Sequence, residues 1–548
     1  MDSARGADEA GEFGRVPFRL WIGVTGHRRL PRDRTLTDQV HSVLGRLRDV
    51  VRHSESTLGL LGITSPLAEG ADRVVAKVAL EHELAALEVA LPLAKDDYKR
   101  DFESQASKKD FETLLDRAEL VTTMPKSRNR PAAYVQVADF IVDRSDVLVA
   151  LWDGEEARGE GGTADVIETA RSRHLPLVWI STTAGFNVAE ELGNGIDQDD
   201  FVEIDFYNRA RMSADGFGHH SDKRKRRWEE AAAKAGLSNG YLEAFWDWIL
   251  PYLTRADLLA DRYHFLYSLF GSALFVLAAV AVGAAATQVL FLAPRQPPGW
   301  TVGLPWLEVG VLLLSLVLIF AAQRLKVHAR WISCRELAER CRVAFFLCAL
   351  GLGSNQAAAI DGIHQLGGGR RWSDRAFEEI WFKRPKKGPD ASMIDALKRF
   401  LADAWIEDQA EYYDRRTKRV RRRSFILTSI VALFLIGAML AAVVHGGVDL
   451  SGGGEGSAAR WLLLLAILLP AIAGAAGGIL AQREYELNAE RFEGMADRLR
   501  EVRYRIARAR DLDALVATAE AVAMSMLAEH KIWSDLMLRH SIRVHEVV

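Results

Sequence analysis

The hydrophobic positions of this chain keep one rhythm up to about residue 182 and another from about residue 265 onward. In the first part, short apolar runs alternate with stretches of helical period. Residues 18–24 (FRLWIGV), 58–63, 87–93, 146–152 (DVLVALW) and 177–181 read as strands. Residues 35–52, 70–84, 98–118 and 163–172 read as helices. Apolar strands that alternate with helices predict a parallel sheet covered on both faces.

The second part is built from longer runs. Residues 265–293 carry no charge, and residues 304–322 carry one carboxylate, Glu308. The link at 294–303 permits only a hairpin. The design returns as residues 425–444, a Gly-rich link, and residues 461–481. A helix of about 20 apolar residues crosses a bilayer core, so this part reads as an all-α membrane domain with four transmembrane helices and long cytoplasmic helices. The hairpins also repeat. Residues 335–342 (RELAERCR) follow an exit of Ala322, Gln323 and Arg324, and residues 493–500 (EGMADRLR) follow the same exit at Ala481, Gln482 and Arg483. Such paired units suggest duplication, and both segments have the helical period that lets them bundle beside the membrane.

Charge gives the arrangement a direction. Residues 223–227 (KRKRR), residues 415–423 (RRTKRVRRR), Arg324, Lys326 and Arg330 all fall on one side of the hairpins. The outer links hold only Arg295 and, at an edge, Arg460. Positive loops stay cytoplasmic, so a multi-pass protein of the cell inner membrane is expected, with both termini and the middle segment in the cytoplasm. Residues 1–15, polar, acidic and Gly-rich, are expected to be flexible and not a signal peptide. The formal net charge of −3 argues against general nucleic-acid binding. Cys334, Cys341 and Cys348 recur every seven residues on one helix face. Metal sites use closer pairs, so a packed seam of small apolar residues outweighs a metal or redox cluster. His219 and His220 sit among Gly, Ser and Asp, and read as a solvated loop rather than a metal site. Phe245, Trp246 and Trp248 lie just before the first long apolar run and are expected at the membrane interface.

Three strand-to-loop junctions hold unusual residues at the carboxyl ends of the strands, where open sheets of this kind bind ligands. The first is Gly23, Val24, Thr25, Gly26, His27 and Arg28. Gly26 allows a tight turn, Thr25 offers a hydroxyl, and His27 and Arg28 can meet phosphate. The second, residues 65–72 (SPLAEGAD), brings Ser65, Glu69, Gly70 and Asp72 to a helix start that favours an anion. The third brings Asp153 and Gly154 after a strand, then Gly161, Gly162, Thr163 and Asp165 at another helix start. Each alone reads equally as a turn or an N-cap. Together on one sheet edge they point to a cleft for phosphate and sugar. The spacing fits neither the dinucleotide fingerprint nor a Walker A loop.

Residues 24–28 (VTGHR), residues 65–72 and the strand 146–152 followed by Gly161, Gly162 and Thr163 resemble the SLOG superfamily, named for the DprA and LOG proteins. The resemblance covers residues 16–182. It implies a Rossmann-like domain that binds a nucleotide or nucleotide-derived signal, such as ADP-ribose or a cyclic nucleotide. The LOG enzymes cleave a nucleotide N-glycosidic bond with a Glu in a P-G-G-x-G-T-x-x-E loop. Here the loop reads G-E-G-G-T-A-D-V, with Asp165 close after Thr163 and Glu168 shifted from the enzyme position. That departure favours a sensor over a hydrolase.

The membrane half resembles the SLATT domains through residues 405–413 (WIEDQAEYY) and 528–533 (AEHKIW), and above all through its architecture. That resemblance implies an oligomeric pore or membrane-disrupting assembly of bacterial antiviral defence. Its partners would be a nucleotide second messenger, the lipid bilayer, further copies of the chain, and an enzyme that makes the signal. The chain then divides into a flexible start (1–15), the SLOG-like domain (16–182), a linker with juxtamembrane helices (183–250), a first hairpin with its cytoplasmic helix (251–350), a cytoplasmic helical segment (351–412) and a second hairpin with C-terminal helices (413–548). Glu308 either lines a pore or snorkels to the headgroups. Gly474 and Gly478 form a small face that packs within one subunit or between subunits. Three functions stay open: a nucleotide-gated membrane effector, a membrane-tethered enzyme acting on a nucleotide with Asp72, Asp153, Asp165 or Glu168 as its carboxylate, and a ligand-binding scaffold without a pore.

Overall fold

The computed structural model describes residues 13–31, 33–81, 85–155, 161–183, 185–193, 195–291, 303–352, 371–450 and 456–539. The expectations for the flexible start before residue 13, nearly all of the first outer link, residues 451–455 of the second, the segment 353–370 and residues 540–548 lie outside these residues. Seven strands form among the described residues: β1 (Phe18–Gly26), β2 (Gly59–Ser65), β3 (Ala86–Leu91), β4 (Leu120–Thr123), β5 (Val147–Trp152), β6 (Leu177–Ser181) and β7 (Val188–Glu191). They make one sheet in the order β4-β3-β2-β1-β5-β6-β7. All neighbours are parallel except β6 with β7. Every residue of β3 and β5 is buried; β5 is an uninterrupted apolar run, and the one charge in β3, Glu88, is paired with Arg144. The intervening helices are α1 (Arg34–Val50), α2 (Ala71–Ala79), α3 (Gln105–Asp116), α4 (Arg130–Arg144) and α5 (Thr163–Ser172). Asp33, Ser104 and Asn129 cap α1, α3 and α4 by accepting from the amides of Thr35, Ser107 and Ala132.

This part differs from the sequence pattern in three places. The single helix expected at 98–118 is broken, because Phe102 turns inward against Tyr98 and Phe111 before α3 starts. Residues 119–145, which the pattern passed over, supply β4 and α4. The sheet also runs on past residue 182, with β7 antiparallel to β6 and then α6 (Asp199–Arg209), whose Phe201 packs edge-on against Phe18.

The rest is helical: α7 (Ala214–Ala235), α8 (Asn239–Phe291), α9 (Leu304–Arg324), α10 (Val327–Ala349), α11 (Trp372–Phe382), α12 (Ile394–Phe400), a π-helical stretch Leu401–Glu407 leading into α13 (Asp408–Leu450), α14 (Ser457–Arg483), α15 (Tyr485–Ala507) and α16 (Leu512–Arg539). Among the described residues, four helices contain segments long and apolar enough to cross a membrane, and these are α8, α9, α13 and α14. They leave large apolar side chains uncovered, with Leu316 65%, Phe320 67%, Phe425 73% and Leu433 67% exposed. Apolar stripes of this extent are rare on a surface that meets only water. The two hairpins share a corner. Lys326 (φ 45°) and Glu484 (φ 42°) turn the chain out of α9 and α14 into α10 and α15, each of 23 residues. A non-glycine residue in this left-handed region is uncommon, so its recurrence at matching positions agrees with duplication.

Helix α8 runs unbroken through Pro251, where the sequence division placed a boundary. Proline leaves the carbonyl four residues earlier without its helical donor. Tertiary packing overrides that cost: Phe245, Trp246, Ile249 and Leu253 are buried in the core. Phe245, Trp246 and Trp248 are therefore core residues rather than interfacial ones, and Trp248 Nε1 donates to the Ile380 carbonyl at 2.8 Å. His219 and His220 lie within α7 rather than in a loop, because Ser213 caps that helix early. Cys334, Cys341 and Cys348 are free thiols buried along α10, as a packed seam requires.

Helix α11 joins the two parts. It carries an Arg and two Glu into the amino-terminal edge of the sheet, and its residues from Trp372 to Trp381 are buried. Glu379 takes Arg19 of β1 in a two-point pair at 2.7 and 3.0 Å. Arg375 pairs with Asp146, just before β5, at 2.9 and 2.5 Å, and with Asp200 of α6 at 2.7 Å. Glu378 meets Arg144, the last residue of α4, at 2.5 Å. On its other side, Asp374 pairs with Arg340 of α10. Buried charges persist only when paired in this way. A second tie is Arg255 of α8, which donates to the carbonyls of Tyr207, Asn208 and Ala210 and so satisfies the end of α6.

Candidate ligand cleft

The strand order reverses beside β1, which has β2 on one side and β5 on the other. At such a switch point the loops leaving the two strands diverge and open a crevice. Here the crevice is a cavity of about 500 Å³, in the size range of small-molecule sites. Thr25, Gly26, His27 and Arg28 enter it from β1, Asp72 from α2, Asp153 from β5, and Gly161, Gly162 and Thr163 from the start of α5. The three junctions singled out in the sequence thus meet in one place.

The remaining candidates stand behind the wall. Gly23 abuts Ser145, where a Cβ would lie 2.3 Å from its hydroxyl. Ser65 Oγ accepts from the Leu67 amide at 3.1 Å and shapes the turn. Glu69 is engaged by the Ser107 hydroxyl and the Glu103 amide. Gly70 (φ 85°) lets the second loop touch the first, since a Cβ there would stand 2.3 Å from the His27 carbonyl. The Ala71 amide then donates to that carbonyl at 3.1 Å. Gly154 packs beside Trp179, and Asp165 accepts from the Gly161 amide at 2.8 Å and holds the third loop. Glu168 is exposed on α5, away from the cavity wall.

One end of the cavity is polar. His27 Nε2 lies 2.9 Å from the Asp153 carboxylate and 3.1 Å from the Asp153 amide. The Arg28 guanidinium sits over the Tyr134 ring at 5.6 Å, at the exposed mouth. The first turn of α5 has no side-chain cap, so its amides are available to an anion. Asp72 is buried in the floor. Burial raises its pKa to about 7, against the opposing effects of the Ala68 amide, Arg28 and Arg73. The nearby Tyr98 hydroxyl is buried with no hydrogen-bond partner among the described residues, and burial pushes it well above the usual phenol range. Val24, Val137, Ala138, Ile141, Trp152 and Val166 make the apolar side of the cavity. The cavity thus sets an apolar wall against a cationic mouth and the uncapped amides of α5.

Sequence reasoning missed Tyr98 and the α4 residues Tyr134, Val137, Ala138 and Ile141. The helix had a readable start, with Asn129 as cap, Pro131 in the first turn and apolar residues at 133, 137 and 141. Nothing in the spacing marked Tyr98 as a cleft residue.

The candidates in the apolar helices have partners of their own. Glu308 accepts from Gln288 Nε2 of α8 at 2.9 Å, which ties the first hairpin together. Gly474 meets nothing within 4 Å, whereas a Cβ at Gly478 would lie 2.3 Å from a Phe275 ring carbon. Gly478 is thus a close contact of α14 with α8 of the same chain, the first of the two alternatives for this residue. No protein-family model matches the chain, and no curated protein matches it.

Proposed function

We propose that the protein is a membrane effector of the SLOG–SLATT type. A Rossmann-like cytoplasmic domain binds a nucleotide-derived signal, such as ADP-ribose or a cyclic nucleotide, and controls an oligomeric assembly of four-span subunits that opens the inner membrane, in bacterial antiviral defence. The observation that carries this reading is the position of α4. Its Tyr134, Val137, Ala138 and Ile141 line the cleft, and its last residue, Arg144, pairs with Glu378 of α11 in the helical part. Ten residues of helix, about 15 Å, separate Tyr134 from Arg144. A ligand that draws α4 inward acts on the same rigid element that α11 grips, and so biases the helices beyond it.

Two further observations support it. The long apolar helices leave uncovered the side chains that lipid or neighbouring subunits would cover. The basic clusters at 223–227 and 415–423 favour a cytoplasmic position for the sheet domain. Of the four carboxylates that the enzyme alternative could use, Glu168 is remote from the cavity wall and Asp165 is committed to the Gly161 amide, while Asp72 and Asp153 line the cavity and are engaged by the Ala68 amide and by His27. The test is calorimetric titration of the purified chain with a panel of ADP-ribose, nucleoside diphosphates and cyclic oligonucleotides. At least one should bind, and Arg28→Ala should weaken it by about 1.5–3 kcal/mol, the worth of a charged hydrogen bond. No binding across the panel, or unchanged affinity in Arg28→Ala, contradicts this reading of the cleft.

A further inference from the structure

A second cavity, of about 430 Å³, lies among the helices, with its wall drawn from the helical part alone. It is enclosed by α8 near residues 260–268, by α10, by α13 just before its apolar run, by the corner between α14 and α15, and by α16. The apolar runs of α8, α13 and α14 therefore all begin or end at its edge. Six arginines line it, namely Arg335, Arg416, Arg419, Arg423, Arg483 and Arg491, against the carboxylates of Asp261, Glu339 and Glu529. Three of the six come from the basic run at 415–423. At positions i, i+3 and i+7 they share one face of α13. The run therefore turns one stripe inward, while Arg415 and Arg421 pair with Glu411 and Glu493 elsewhere.

The cavity's charge is only partly compensated from within. Arg335 is paired with Glu339 and Asp257, and Arg483 donates to Ser272 Oγ at 2.9 Å. The Arg416 guanidinium donates to the Tyr412 hydroxyl and is held over the rings of Tyr412 and Phe492 at 5.6 and 5.5 Å, with no carboxylate partner among the described residues. The Nη1 of Arg491 is buried without a hydrogen-bond partner among the described residues, as are His530 Nε2 and Asn488 Oδ1. A buried charged donor left without an acceptor is costly, and an incoming anion removes that cost. Aromatic rings make much of the remaining wall, with Tyr267, Trp331, Tyr413 and Trp533 beside those already named. Arginines around an apolar, aromatic wall at the boundary of long apolar helices suit a phosphate attached to a less polar body.

We propose that this cavity binds a phosphate ester anion, of the kind carried by an anionic phospholipid headgroup at the membrane surface. Arg416 and Arg491 are the principal donors. Bound there, the anion bridges α13 and α15, the helix entering the second hairpin and the helix leaving it. The inference shares with the proposed function only the membrane crossing of the four helices. It needs no nucleotide, so failure of nucleotide binding leaves it standing.

Native mass spectrometry of the full chain in a neutral detergent tests it. Phosphatidylglycerol should remain bound at least about ten-fold more than phosphatidylcholine, and Arg416→Gln and Arg491→Gln should each remove most of that preference. Arg422→Gln, on the same helix but outside the cavity wall, should keep it. Glycerol phosphate and inorganic phosphate, added alone and in competition with the lipid, separate the two sources of the phosphate. Retention of the lipid against both assigns the site to a headgroup, and binding of the free phosphates with no lipid preference assigns it to a soluble phosphate. No preference for phosphatidylglycerol together with no binding of either free phosphate overturns the proposal. So does an equal loss in Arg422→Gln, which would make the effect one of general surface charge. The wild-type comparison stands even if a variant fails to fold.

Discussion

Arg144 and Glu378, 234 residues apart in sequence, meet at 2.5 Å in the seam between the sheet and the helices. The same guanidinium holds Glu88 of β3 at 2.7 Å and stacks on the Trp21 ring at 4.6 Å. Burial disfavours its charge, and the two carboxylates more than restore it. The arrangement fixes the end of α4 against α11, and so ties the wall of the cleft to the helical part.

Removing one member of this cluster leaves buried charge without a partner. Arg144→Ala is expected to destabilise the protein by about 3 kcal/mol in chemical unfolding. Glu378→Gln should cost less, since Arg144 keeps Glu88. The two substitutions should be non-additive in a double-mutant cycle, by about 0.5–3 kcal/mol. Additive costs would show that the contact does not couple the two parts.

Asp72 gives the fold a pH dependence of definite sign. Its folded-state pKa is about 7, raised by burial from an ordinary 3.8. Between those values the folded chain holds a proton that the unfolded chain has released. The contribution of this group to stability therefore falls as pH rises from about 4 to about 7, and is level above. Asp72→Asn keeps an acceptor for the Ala68 amide and removes the titration. Thermal unfolding should find the variant several degrees more stable than wild type at about pH 8, with the gap closing towards about pH 5. A gap that is constant across this range would contradict the assignment.

Gly478 sits where α14 crosses α8, and a methyl group there would overlap the Phe275 ring. Gly478→Ala should lower stability by about 1–3 kcal/mol, the usual cost of overpacking. Phe275→Leu in the same chain should recover part of the loss. The subunit count in detergent should stay unchanged. Altered oligomerisation with normal stability would return this residue to a contact between subunits.

The elements with long, unambiguous apolar patterns were legible in the sequence. Residues 146–152 gave β5 within a residue, and the uncharged run from 265 begins within α8. The three glycine-bearing junctions converged because strand ends in a parallel sheet share one edge. The features that escaped were set by tertiary packing. The division between residues 250 and 251 fell inside a helix, because the buried rings around Pro251 carry α8 straight through. Trp246 and Trp248 looked interfacial because sequence shows amphipathic rings but not the packing that buries them, such as α11 against Trp248. The partners that Arg144, Arg19 and Arg375 find across the seam lie 175 residues away or more, a distance at which no local pattern marks a pair. The inward stripe of the basic run at 415–423 was hidden for the same reason, since charge alone does not say which face of a helix turns inward.

The central claim is that occupation of the sheet-edge cleft controls the membrane assembly. Ion flux from liposomes carrying the purified chain tests it most directly, with each nucleotide that binds added to the side that exposes the sheet domain. Leakage is expected to rise with the binding curve of the ligand, and to be lost in Arg28→Ala at ligand concentrations that saturate the wild type. Absence of leakage with every nucleotide that binds would contradict the effector reading and leave a nucleotide-binding membrane scaffold in its place.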